Sequence, residues 1–173
     1  MKTLVLGGVR SGKSRLAEQL AAASGRPVTY VATARAEDAE MARRIERHRA
    51  DRPVDWGLVE AGTGLARALE QAARPEQCLL VDCLTLWLTQ LLCTDDEGRI
   101  EREREALIET VPRLPGTLVF VSNETGMGIT PMDALSRRFA DEAGWLHQRL
   151  APAMDRVVLT VAGLPHVLKG DPL

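Results

Sequence analysis

Apolar residues in this chain come in short, nearly unbroken runs. Between the runs lie longer stretches in which apolar positions recur every three or four residues. The runs are "TLVLG" (3–7), "PVTYVAT" (27–33), "VDWGLVE" (54–60), "QCLLVDC" (77–83), "GTLVFVSN" (116–123) and "DRVVLTVAG" (155–163). Their length and β-rich composition predict strands. The stretches predict helices over 14–24, closing at Gly25, over 37–49, over 64–73 and over 84–92. Residues 95–111 begin as a loop and become a charged helix, and a long helix covers 133–154. The helix over 37–49 carries acids in its first turn and bases in its last, which suits the helix dipole, and Pro53 stops it. Strands that are apolar throughout and alternate with helices imply a mostly parallel central sheet with helices on both faces. With no repeat, low-complexity tract or linker, residues 1–173 read as one α/β domain.

The first strand runs into "GGVRSGKS", Gly7, Gly8, Val9, Arg10, Ser11, Gly12, Lys13 and Ser14, which fits G-x-x-x-x-G-K-S between a strand and a helix. Glycines let the backbone fold tightly around an anion with its N–H groups turned inward, and the following helix N-terminus adds partial positive charge. In such a P-loop, Lys13 reaches the β- and γ-phosphates and Ser14 ligates Mg²⁺. A buried strand should supply the second metal residue at its end, and "LLVDC" offers Asp82. Capping the helix that follows is the lesser alternative for Asp82, and both roles could hold at once. A nucleotide switch reading guanine through N-K-x-D is disfavoured, because "VSNETG" (121–126) has Asn123 but neither lysine nor aspartate at the needed offsets.

Composition narrows the partners. At 173 residues with 45% hydrophobic and 27% charged residues, the chain is expected to be globular. A net charge of −2 gives no global pull toward nucleic acid or a membrane, and 3% aromatic residues leave few platforms for stacking bases. No apolar segment is long enough to span a bilayer and the start does not read as a signal peptide, so a cytoplasmic location is expected. Cys78, Cys83 and Cys93 form no C-x-x-C pair, and Cys78 and Cys83 read as buried free thiols.

One stretch resists the bland description. "RRIERHRADRPVDW" (43–56) sets His48 among Arg43, Arg44, Arg47, Arg49 and Arg52. Met41, Ile45 and His48 share a helix face, as in a packed structural histidine. The same helix follows a strand whose C-terminal end should emerge beside the P-loop, at the edge where open α/β sheets bind ligands. Arginines turned to that site would bind a polyphosphate and hold the imidazole neutral and nucleophilic. They cannot all point where His48 points.

"GGVRSGKS", "YVATA", "RIERHRADRPVDW", "VDCLTLWL" and "VSNETGMGITP", in this order, resemble the bifunctional adenosylcobinamide kinase / adenosylcobinamide-phosphate guanylyltransferase family of cobalamin biosynthesis, over Leu4 to about Lys169. The resemblance implies a RecA-like P-loop NTPase fold and a homotrimer. It implies two reactions: phosphorylation of adenosylcobinamide by ATP or GTP, and transfer of GMP from GTP to adenosylcobinamide phosphate with release of pyrophosphate. The histidine of H-R-x-x-R-P, here His48, is implied to carry the GMP. The family's GTP contacts map onto Gly7 to Ser14, Ala32 and Thr33, Arg49, Ala50, Asp51 and Arg52, Glu60 and Asp82. The chain departs from the family in its late helix, where "FADEAGWLHQ" has Ala140 and His147. His147 reads as an ordinary helix residue and His166 as part of a near-terminal loop. A single-activity small-molecule kinase and a non-catalytic nucleotide-binding regulator are the competing readings.

Overall fold

The computed structural model describes residues 1–33, 53–96 and 98–173. The strands are β1 (Lys2–Gly7), β2 (Val28–Ala32), β3 (Gly57–Glu60), β4 (Cys78–Asp82), β5 (Thr117–Asn123), β6 (Arg156–Val161) and β7 (Leu164–Lys169). The helices are α1 (Lys13–Ala22), α2 (Leu65–Ala72), α3 (Leu84–Leu92), α4 (Arg99–Thr110) and α5 (Ala134–Leu150). One seven-stranded sheet has the order β3-β2-β4-β5-β1-β6-β7. Strands β1 to β6 run parallel, and β7 pairs antiparallel with β6.

Side chains along each central strand part alternately to the two faces, as the strand pleat dictates. Leu4, Leu6, Val31, Leu79, Val81, Leu118 and Phe120 join one core, together with Leu65 and Leu69 of α2, Trp87 and Leu88 of α3, Leu107 of α4 and Leu146 of α5. Val5, Val28, Tyr30, Cys78, Leu80, Val119 and Val121 face the other way, against Ala17 and Ala21 of α1. Burial on both faces explains why these strands read as unbroken apolar runs rather than alternating ones. Each fully buried Leu, Val or Phe contributes on the order of 1.5–3 kcal/mol through removal from water.

Two expectations at the C-terminus are corrected. The final run was expected to be one strand through Gly163 with His166 in a loop. Instead the chain reverses at Ala162 and Gly163, both with positive φ (51° and 78°), and returns as β7. Positive φ at both turn residues matches the twist of a tight hairpin. His166 sits on this exposed strand opposite Leu159. The helix expected over 37–49, and with it His48, lies outside the described residues.

Candidate active site

Parallel strands deliver their C-terminal ends to one edge of the sheet, where the registers bring the candidate residues into rows. Ala32 pairs with Glu60 on one side and Asp82 on the other. Asp82 in turn lies opposite Val121, and Gly7 opposite Asn123. Three sequence-predicted residues, Glu60, Ala32 and Asp82, are therefore neighbours across β3, β2 and β4, and the P-loop rises from β1 just beyond β5. Glu60 is exposed on the edge strand, whereas Ala32 and Asp82 are half-buried.

The loop itself is built from conformations that its composition permits. Gly12 has φ 94° and is the N-cap of α1, and Arg10 also lies at positive φ, 56°. A Cβ on Gly7 would strike the hydroxyl of Ser11 and come within 2.6 Å of the Thr160 carbonyl oxygen, so only glycine fits at this position. Inside the cradle Ser11 N donates to Gly8 O (3.3 Å), and Lys13 Nζ folds back onto Gly8 O (3.3 Å). Ser11 is buried, and its hydroxyl has no hydrogen-bond partner among the described residues. The N–H groups of the first turn of α1 have no intrahelical acceptors, the ordinary condition of a helix start that receives an anion. Val9 and Arg10 are exposed, and Gly12, Lys13 and Ser14 are half-buried.

Asp82 closes β4. The N-cap of α3 falls one residue later, on Cys83, which makes no side-chain cap, so the capping role considered for Asp82 is not its place in the fold. The Asp82–Cys83 peptide is cis. Thr33 holds this junction: its buried hydroxyl accepts from Cys83 N (2.9 Å) and donates to Cys83 O (2.7 Å). The Thr33 carbonyl accepts in turn from Gln90 Nε2 on α3. Thr33 thus ties the end of β2 to Cys83 and to Gln90 of α3. Burial pushes the Cys83 thiol up to about 11, the Asp82 carboxylate adds to the rise, and the Lys13 charge opposes it. Ser14 and Asp82 offer a hydroxyl and a carboxylate, hard oxygen donors of the kind Mg²⁺ takes.

A second polar cluster was not legible in the sequence. His147 is buried on α5, and its Nε2 is hydrogen-bonded to Ser122 Oγ at 2.7 Å. The Ser122 hydroxyl also meets Thr85 Oγ1 (3.4 Å), which accepts from Asn123 N (2.7 Å). His147 Nδ1 lies 3.9 Å from Glu124 Oε2. Burial lowers the pKa of His147 and the Glu124 carboxylate opposes that shift. The partners stand 25 and 23 positions away, a juxtaposition that helical spacing cannot reveal. Arg49, Ala50, Asp51 and Arg52 lie outside the described residues, as His48 does.

Residues 3–168 match the family described as cobinamide kinase / cobinamide phosphate guanyltransferase. The chain belongs to this family. It is 59% identical to the bifunctional adenosylcobalamin biosynthesis protein CobP of Pseudomonas aeruginosa, over all of both chains. It is 41% identical to the bifunctional adenosylcobalamin biosynthesis protein CobU of Escherichia coli, over 95% of this chain and 97% of that one. Among solved structures, a protein from Pyrococcus horikoshii OT3 superposes with a TM-score of 0.56 at 11% identity, over 99% of this chain and 87% of the other, which speaks for the fold alone. The family member described here is therefore an enzyme, a kinase and guanylyltransferase of cobalamin biosynthesis, on a mostly parallel sheet whose first strand runs into a P-loop motif. No helix among the described residues is long and apolar enough to cross a membrane.

Proposed function

We propose that the chain catalyses two steps at the sheet edge: phosphorylation of the adenosylcobinamide hydroxyl by ATP or GTP, then transfer of GMP from GTP to adenosylcobinamide phosphate through a guanylyl-histidine on His48. The observation that carries this reading is the P-loop at the same edge of the sheet as Asp82, one strand apart, in a chain of this family. In the first step the loop N–H groups and Lys13 hold the triphosphate and offset the charge that spreads over the γ-phosphoryl group in transfer. In the second, a neutral His48 nitrogen attacks the α-phosphorus of GTP and pyrophosphate departs. An oxygen of adenosylcobinamide phosphate then attacks the same phosphorus and frees the imidazole. Arg49 and Arg52 offer the charge that draws the phosphates toward His48. Ser14 and Asp82 would hold Mg²⁺, which when bound neutralises phosphate charge. Ala32, Thr33, Ala50, Asp51 and Glu60 complete the nucleotide surround in this reading. The whole chain works as one domain, in a cytoplasmic homotrimer, as the resemblance implies.

The test is direct. Protein incubated with α-labelled GTP and Mg²⁺, then denatured, is expected to carry acid-labile label on His48. His48→Ala is expected to lose the label and guanylyl transfer while retaining much of the phosphorylation. Active protein that transfers only γ-label and never carries GMP would mean a single-activity kinase.

A further inference from the structure

The proton of the acceptor hydroxyl must leave as that oxygen bonds to the γ-phosphorus, and none of the residues assigned above receives it. We propose that Glu124 is the base that does so; the assignment rests on the two-step reading above. β5 lies between β4, which ends in Asp82, and β1, which feeds the P-loop. Glu124 is the first residue beyond β5, and its N–H donates to Gly7 O at 3.0 Å. Its backbone is thereby fixed to the first residue of the phosphate cradle.

The side chain is held as well. Oε1 accepts from Gly126 N at 2.6 Å, and Oε2 stands 3.9 Å from His147 Nδ1. At 21% exposure the carboxylate is fastened but reachable. A fixed negative charge beside a phosphate-binding loop repels the ligand, so electrostatics alone argues against a carboxylate here. Among the described residues its ion-pair partner is His147, which burial biases toward the neutral form, so that pair does not cancel the charge. Proton transfer from the acceptor gives the carboxylate a use that offsets its cost. The acceptor has a side to approach from: Met127, Ile129 and Met132, 75%, 97% and 96% exposed, follow Glu124 directly and offer an apolar surface to the rim of a large corrin ring.

The step balances. The acceptor O–H proton passes to a Glu124 carboxylate oxygen while the acceptor oxygen bonds to the γ-phosphorus. The bond from that phosphorus to the bridging oxygen breaks, its electron pair leaves on the nucleoside diphosphate, and Glu124 later gives its proton to water. The Gly126 N–H fixes one carboxylate oxygen, and His147, itself hydrogen-bonded to Ser122, stands 3.9 Å behind the other.

Glu124→Gln keeps the size and the acceptor for Gly126 N but cannot take a proton. Its kcat for phosphorylation of adenosylcobinamide should fall by about 100-fold or more, the range of general-base catalysis, with KM for nucleotide unchanged or lower because the repelling charge is gone. Guanylyl transfer to supplied adenosylcobinamide phosphate, whose acceptor oxygen carries no proton, should continue at the unmodified rate. Glu124→Asp should recover part of the lost kcat. Phosphorylation retained within about threefold in Glu124→Gln overturns the assignment, and so does an equal loss of both reactions, which marks a structural role. If the unmodified enzyme neither phosphorylates adenosylcobinamide nor guanylylates its phosphate, the two-step reading itself fails, whatever the variants do.

Discussion

Replacing Thr33 by valine removes one hydroxyl and keeps the shape, which isolates the clamp on the Asp82–Cys83 junction. Thr33 is fully buried, so water cannot stand in for the lost oxygen. Cys83 N loses its acceptor at 2.9 Å and becomes a buried, unpaired N–H, a deficit of about 1–3 kcal/mol. Cys83 O fares better, because Trp87 N still donates to it at 3.3 Å; losing the second donor costs about 0.5–1.5 kcal/mol. The sum is about 1.5–4.5 kcal/mol, a large share of the roughly 5–15 kcal/mol by which such a domain is stable. For a chain of this size Tm should fall by about 3–18 °C. Urea unfolding should show a lower midpoint at unchanged slope. Thr33→Ser, which keeps the oxygen and loses one methyl, should lose about 1 kcal/mol. Nucleotide affinity should weaken in Thr33→Val more than in Thr33→Ser, because Cys83, the neighbour of Asp82, is no longer clamped. Equal stability of valine and serine at position 33 would show that the hydroxyl holds nothing.

Two further outcomes follow from the buried titratable groups. The pKa of His147 is lower in the fold than its ordinary value near 6.5, so the unfolded chain binds the extra proton first. Stability linked to this residue is complete above about pH 6.5 and is lost as pH falls through the folded pKa; urea midpoints of His147→Gln should decline less than those of the parent between about pH 6.5 and 5. Cys78 and Cys83 are buried with their thiols pushed up, whereas Cys93 is exposed. A thiol reagent at neutral pH should modify one cysteine quickly in the native protein and the other two only in denaturant; rapid modification of all three would contradict the described packing.

The central strands and the P-loop were legible because the information is local. Leu79, Leu80 and Val81 are apolar in succession since both faces of β4 are covered, and G-x-x-x-x-G-K-S states its own context. The hairpin was not legible. Its turn is Ala162–Gly163 rather than the Asn-Gly that usually marks positive φ at both positions, and β7 is mostly exposed, so neither turn chemistry nor hydrophobicity flagged it. Thr33 is named in the sequence only through the family resemblance, as a nucleotide contact; its grip on Cys83 spans 50 positions and only the sheet brings the two together. His147 was read as a plain helix residue for the same reason: Ser122 and Glu124 come to it from another element.

The turn between β6 and β7 touches the phosphate loop: Gly163 N donates to Ser11 O at 2.8 Å, and a Cβ on Gly12 would stand 3.1 Å from Gly163 Cα. The β6–β7 hairpin is thus a strut under the P-loop, and β7 screens the rim of β6 from other chains as well. Loosening β7 would be felt at the loop between β1 and α1, at a great distance along the sequence.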